Sequence, residues 1–393
     1  MSVIGAVTAI GFGLVVVPWL LYPAFVFAFA AMRGTRSTRA GQPRSGAHSG
    51  TVPSSPTVTC VLATRDPPDV VRERVANFLA QDYPSDRLSV VVAVDATAAG
   101  SLLPALAPLG EDGRVTVIRG DAPGGKCPAL NAAVRAAAGD VLLFSDARQR
   151  FAPDVAAKLA GALVDDPRLA ITSGRLLLPS DAAGSSLFRL YSRLELNLRA
   201  AEARLHSAVG VSGSVYAMWR QYWTPLPAGL ILDDLYVPMR LALERHRVGF
   251  VADAYAHETR HVAAAQEFKR KVRTLTGNYQ LCAWLPGVLL PWRNPIWLQF
   301  VCHKLLRLLM PVGVLLAGLG VGLMLARAAT ARFGYGALWL AAVAVTGGIW
   351  VVAGRDARAT RLRGIALQFA SMQAAVVVAA VHGLRGEWDV WKA

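Results

Sequence analysis

Two aspartates stand where acidic side chains can meet a ligand. Asp95 ends the run Ser-Val-Val-Val-Ala-Val, and Asp146 follows Val-Leu-Leu-Phe-Ser. Both runs have the length and composition of buried strands, and in open α/β sheets ligands bind outside the carboxyl ends of the strands. One Asp after a strand is a common turn former. Two of them suit a nucleoside diphosphate, which needs carboxylates for its divalent cation and for its ribose or base. Between them lies Pro123-Gly-Gly-Lys-Cys-Pro-Ala-Leu-Asn131. Two glycines before a lysine at a helix start can present backbone N–H groups and a cation to an anion. The spacing is not that of a P-loop, and a plain turn has the same composition. Asp233 and Asp234 precede the helical run Leu235 to Leu243, where capping of the helix is the competing role. Arg270 and Arg273 are three apart on a predicted helix and share a face. Lys269 and Lys271 lie alongside, so a solvated basic face is the alternative.

The elements that must carry these residues alternate. Val58 to Ala63 reads as a strand and Val70 to Ala80 as a helix; strands follow at Leu88 to Val94 and Val115 to Arg119, then a helix from about Pro128 to Ala138 and a strand at Val141 to Phe144. Such alternation predicts a mixed, mostly parallel sheet covered by helices, an α/β domain over about residues 57–280.

The rest of the chain is different. Over 393 residues, 54% are hydrophobic and 17% charged, less charge than a soluble domain carries. Val3 to Met32 is nearly uncharged and exceeds the roughly 20 residues that cross a bilayer. Arg33, Arg36, Arg39 and Arg44 follow it, which predicts a cytoplasmic C-terminal end for this helix. Residues 34–56 read as a flexible basic tether rich in Ser, Gly and Pro. Three more spans are expected within 308–393, at about Leu308 to Ala326, Gly334 to Ala353 and Ile365 to Gly383, flanked by basic clusters that want the same side. Residues 281–307 hold Trp284, Trp292 and Trp297 among prolines and suit an interfacial segment against membrane lipids. The net charge of +15 fits membrane orientation and phosphate binding, and no nucleic-acid motif accompanies it. Four cysteines make no CxxC pair or metal-ligand spacing, as reduced thiols would.

In family order, the chain carries Gln81-Asp-Tyr-Pro84, Val94-Asp95, Gly125-Lys126 with Leu130-Asn131, Phe144-Ser-Asp146, Gly210-Val-Ser-Gly-Ser214, Leu232-Asp-Asp234, and Arg270-Lys-Val-Arg273 with Gly277. Together these resemble the membrane-embedded branch of glycosyltransferase family 2, which includes cellulose, hyaluronan and poly-N-acetylglucosamine synthases; the resemblance extends to ceramide glucosyltransferases. It implies a GT-A-type fold, a multi-pass protein of the cell membrane with a cytoplasmic catalytic domain, and inverting transfer from a nucleotide sugar, UDP-linked, to a glycan or lipid acceptor. Asp95, Lys126, Asp146, Arg148, Arg270 and Arg273 would serve the donor, with Asp146 holding Mg²⁺ or Mn²⁺. Asp234, paired with Asp233, would be the general base, and Gly213 and Ser214 would line the acceptor side.

The departures bear on mechanism. Arg148 stands where the family has the second acid of Asp-x-Asp, Arg270 replaces a glutamine, and Thr274 replaces the tryptophan that processive members place near the acceptor. Arg148 leaves the metal one carboxylate poorer and can meet the diphosphate itself. A growing polysaccharide or lipid-linked glycan is the expected acceptor, with single transfer to a glycolipid as the alternative. A non-catalytic membrane subunit is a second class. A transporter is a third, disfavoured because the spans contain no acidic residue.

Overall fold

Successive side chains of a strand point to opposite faces, so a strand apolar throughout must be covered on both. β1 (Val58–Thr64), β2 (Leu88–Val94) and β4 (Val141–Phe144) are apolar but for Thr59, Thr64 and Ser89, and are covered on both faces. Val58, Cys60 and Leu62, Val90, Val92 and Val94, and Val141 and Leu143 enter one core. Val61, Val91, Ala93, Leu142 and Phe144 enter the other. Helices α3 (Pro68–Leu79), α4 (Ala99–Leu106) and α6 (Val155–Asp165) feed the first core. Helices α5 (Lys126–Ala136) and α8 (Asp233–Leu243) feed the second.

With β3 (Val115–Arg119), β5 (Gln149–Phe151), β6 (Leu169–Leu177), β7 (Tyr216–Trp219) and β8 (Arg247–Glu258) these strands form one sheet, in the order β3-β2-β1-β4-β7-β6-β8-β5. β3, β2, β1 and β4 run parallel, and so do β6 and β8; β7 is antiparallel to both its neighbours, and β5 to β8. The sheet is mixed and mostly parallel. The chain passes from β1 to β2 and β3 on one side and to β4 on the other, so a crevice opens at the carboxyl ends of β1, β2 and β4, where strand order reverses.

The computed structural model describes residues 2–32, 55–177, 186–259, 264–333 and 357–389. They form two compact units. The sheet unit comprises Phe25–Val262 and Gln280–Gln299, and the helical unit Met1–Ala24, Ala263–Tyr279 and Phe300–Ala393. Helix α7 (Ser186–Leu205) belongs to the sheet unit. Helix α9 (Ala264–Trp284) starts in the helical unit, and its last turn belongs to the sheet unit.

In the N-terminal segment α1 (Val3–Val16) leads through a π-helical turn, Val17–Leu21, into α2 (Tyr22–Met32). Pro18 has no N–H to give to a regular helix, and the wide turn absorbs the loss. After the short α10 (Trp297–Phe300) and α11 (Leu306–Leu308) come α12 (Met310–Phe333) and α13 (Ala357–Arg385). Among the described residues three helices are long and apolar enough to cross a membrane: Val3–Met32, Met310–Arg332 and Arg363–Arg385. The span expected at Gly334 to Ala353 lies outside the described residues, as does the basic tether up to residue 54. The four cysteines are free thiols, and burial pushes Cys60 and Cys127 up to about 12.

Candidate active site

Several of the short motifs act as clamps. The Gln81 amide donates to Ala152 O and accepts from Ala156 N, tying the end of α3 to the turn into α6. The Tyr83 hydroxyl donates to Pro56 O, where the chain enters β1. Asn131 Nδ2 donates to Leu226 O, and its Oδ1 accepts from Leu226 N, so α5 holds the loop that leads to α8. Gln280, fully buried, accepts from Ile231 N and donates to Gly229 O. These side chains satisfy backbone groups that burial would otherwise leave orphaned. Of these, Asn131 and Gln280 hold residues 226–231, which lead to Asp233 and Asp234.

Asp95 closes β2 in a cage of donors. Its Oδ1 accepts from the Thr97 amide at 2.9 Å and the Thr97 hydroxyl at 2.8 Å, and its Oδ2 accepts from Gly125 N at 2.9 Å. Burial works against the carboxylate's charge, but these bonds and the nearby Arg65 outweigh it and hold Asp95 below the usual carboxylate range. Gly124 is required: its φ is +101°, and a Cβ there would lie 2.8 Å from Asp95 Oδ1. The N–H groups expected to meet an external anion are thus partly taken. Gly125 N–H already serves the carboxylate of Asp95.

Lys126, the first residue of α5, reaches across the crevice. Its ammonium lies 3.2 Å from Asp146 Oδ1 and 3.2 Å from Asp233 Oδ2. Desolvation works against its charge, but Asp146 and Asp233 outweigh it and hold the ammonium well above the usual lysine range. Asp233 and Asp234 are the first two residues of α8, and its N-cap, Leu232, makes no side-chain capping bond. Neither aspartate is thus the N-cap itself; both are acidic residues of the first helical turn. Burial first, and the charge of Asp233 second, push Asp234 up to about 6, while Lys126 and Arg199 of α7 pull it the other way. The loop Gly210–Ser214 is in contact: Val211 N donates to Asp234 O, and a Cβ on Gly213 would come within 3.1 Å of Asp234 Oδ2. Ser214 bridges to the other side, its hydroxyl 3.4 Å from Asp146 Oδ2. Below them Phe144 stacks on Tyr216 and Trp223, with ring centroids 4.6 and 5.3 Å apart. The Tyr216 phenol is pushed well up by burial and by Asp233, so it stays a neutral O–H.

Asp146, Lys126, Asp233, Asp234, Gly213 and Ser214 thus converge, with Asp95 at the end of β2, on the far side of β1 from β4. Arg148 is engaged by a residue the motifs did not single out: its Nε donates to Asp66 Oδ1 at 2.7 Å, just after β1. Arg270 and Arg273 lie on the part of α9 that belongs to the helical unit, where Arg270 pairs with Glu267 at 3.1 Å. Asp66, Thr97, Arg199 and Tyr216 were not singled out from the sequence. Thr97 could have been, since an Asx turn needs a donor two residues on. The other three act through long-range contacts.

For a divalent cation, Asp146 offers a side chain 45% exposed, and among the described residues its Oδ2 accepts the long contact from Ser214. No group of three His, Cys, Asp or Glu residues that could hold a metal ion occurs among the described residues. Asp146 therefore fits a hard cation shared with phosphate oxygens, as Mg²⁺ is usually bound, and not a cation held by protein alone.

A family model described as "Glycosyltransferase like family 2" matches residues 56–277, more than half of the chain. No curated protein sequence matches it. Among solved structures, a mannosyltransferase from Pyrobaculum calidifontis, in complex with GDP-Man and Mn²⁺, is similar over 97% of this chain and 99% of its own, with a TM-score of 0.65 and 22% identity. S. aureus TarS is similar over 60% of this chain and 40% of its own, with a TM-score of 0.40 and 15% identity.

Proposed function

The chain belongs to the glycosyltransferase-like family 2 and is a glycosyltransferase; from that premise we propose that it transfers a sugar from a nucleotide sugar to a glycan or lipid-linked acceptor at the cytoplasmic face of a membrane. The observation that carries this reading is the single crevice in which Lys126 joins Asp146 to Asp233, with Asp234 beside them. One end suits a diphosphate and the other an acceptor hydroxyl.

On this reading Asp95 and its glycine loop hold the nucleoside end of the donor. Asp146 would hold Mg²⁺ or Mn²⁺ together with the diphosphate, and the ion would neutralise charge on the leaving group. Lys126 and the first turn of α5 stabilise the same charge as it grows. The acceptor oxygen forms a bond to the anomeric carbon as the bond to the diphosphate breaks, which inverts that carbon. Asp234 takes the hydroxyl proton. A pKa raised to about 6 makes it a stronger base than an ordinary carboxylate while it remains largely ionised at neutral pH. Arg270 and Arg273 would serve the leaving diphosphate from α9.

The test is a screen of radiolabelled nucleotide sugars on membranes containing the protein, with and without Mg²⁺ or Mn²⁺. GDP-mannose belongs in the panel, because the full-length structural relative binds it, beside the UDP-sugars expected from sequence. Incorporation into lipid-extractable or polymeric product is expected from one donor; no incorporation from any of them would remove the reading. Orientation is supported by the basic residues beside the spans. A cysteine at Phe333, just past the span Met310–Arg332, should react with an impermeant reagent outside intact cells, and one at Ser101 should not.

A further inference from the structure

Lys126 has two partners with unlike surroundings. The Asp146 side chain is 45% exposed and the Asp233 side chain 8%. Asp146 can recruit water or a cation if the ammonium leaves. Asp233 has less choice: its Oδ2 is buried and makes no hydrogen bond among the described residues, where the ion pair with Lys126 compensates it. An uncompensated buried carboxylate is costly, so Asp233 pulls on Lys126. A diphosphate arriving beside Asp146 pulls on the same ammonium. One cation thus stands between two claims on opposite sides of the crevice.

We propose that Lys126 is a shared counter-ion coupling the two halves of the site: a bound donor diphosphate draws its ammonium off Asp233, so that occupancy of the donor side changes the acid pair on the acceptor side. This rests on the donor-site reading above. Thermodynamic linkage makes the coupling reciprocal. If donor binding costs Asp233 its partner, then Asp233 must weaken donor binding by the same factor. It must also do so only through Lys126. Lys126 is in this respect a positioning residue for the base, in addition to any contact it makes with the donor.

The consequence is a double-mutant cycle read by equilibrium binding. Purified full-length protein in detergent is titrated by calorimetry with GDP and, separately, with UDP, each with Mn²⁺. Asp233→Asn should tighten binding of the preferred nucleotide by about two- to fivefold, the range of a partly exposed ion pair. Lys126→Gln should weaken it by on the order of tenfold, as loss of a charge-assisted contact to phosphate does. In the Lys126→Gln background, Asp233→Asn should change nothing. Equal tightening in both backgrounds would mean that Asp233 acts only as a negative charge near the phosphate, and the shared counter-ion would be wrong. No change, or weaker binding, for a folded Asp233→Asn protein overturns it as well. Asp233→Ser is the second neutral variant if the asparagine does not fold, and Lys126→Arg should recover most of the affinity that Lys126→Gln loses. If a folded wild-type protein binds neither nucleotide, the donor-site reading itself fails and the coupling falls with it.

Discussion

Asp95 and Asp234 stand at opposite ends of one crevice, and the fold treats the same side chain in opposite ways. Asp95 is closed in, but three hydrogen bonds from Thr97 and Gly125 favour its charge and hold it below the usual range. Asp234 is desolvated next to a second carboxylate, and nothing of that number compensates it; it rises to about 6. The first is built to be a fixed anion. The second is built to exchange a proton near neutral pH. Hydrogen bonds lower the one, and burial with the neighbouring charge of Asp233 raises the other.

The sharpest way to break the comparison is to remove the exchangeable carboxylate. Asp234→Asn should lower turnover by on the order of a hundredfold or more, the usual contribution of a general base, and leave nucleotide affinity near wild type. Asp233→Asn should cost turnover much less. Kinetics and binding on both variants decide it: a dead Asp233→Asn beside an active Asp234→Asn would exchange the two roles.

Nearly as large an effect is expected from the donor side. On the proposed mechanism, excess chelator should suppress transfer by on the order of tenfold or more, because a divalent ion would neutralise leaving-group charge. Asp146→Ala should lose turnover and the response to added Mn²⁺ together. Full activity in chelator would mean that Lys126 and its neighbours supply the charge alone.

A smaller effect follows from the raised pKa. On the proposal that Asp234 is the base, it works as the carboxylate, so turnover should rise with pH through about 6 and level off above it. One unit lower, at pH 5, about a tenfold loss is expected. A profile flat from pH 5 to 8 would remove Asp234 as the titrating base.

The smallest effects are on stability, and they should differ in sign. A depressed carboxylate stabilises the fold above its unfolded pKa and loses that contribution as pH falls through the folded value. A raised one does the reverse: the folded state resists its ionisation, so between the ordinary value of 3.8 and about 6 its contribution turns unfavourable as pH rises. At pH 7.5, Asp95→Asn should therefore destabilise by about 1–3 kcal/mol, since an amide NH₂ must face either Gly125 N–H or the Thr97 donors. Asp234→Asn should leave Tm unchanged or raise it. Thermal unfolding of the two variants side by side tests the contrast, and a fall of equal size in both would break it.

The local order of the fold was legible in the sequence. The runs at 58–63, 88–94, 115–119 and 141–144 correspond to β1 to β4 within a residue: β1, β2 and β4 are covered on both faces and mostly apolar, and the edge strand β3 alternates Val115, Val117 with Thr116. Asp95 and Asp146 were legible as strand ends for the same reason, and Lys126 as the start of a helix after two glycines. The helix over Pro128 to Ala138 began two residues early, at Lys126. What these side chains do to one another was not legible. That Gly125 N–H is spent on Asp95, that Arg148 is held by Asp66, and that one lysine is shared between Asp146 and Asp233 all depend on residues from different strand ends meeting in space. The divergent pKa values of Asp95 and Asp234 have the same origin. Residue type and spacing determine which elements form and which groups stand at their ends. Desolvation and ion pairing fall off over a few ångströms, so only the folded sheet, with α5 and α8 packed on one face, decided which carboxylate is lowered and which is raised.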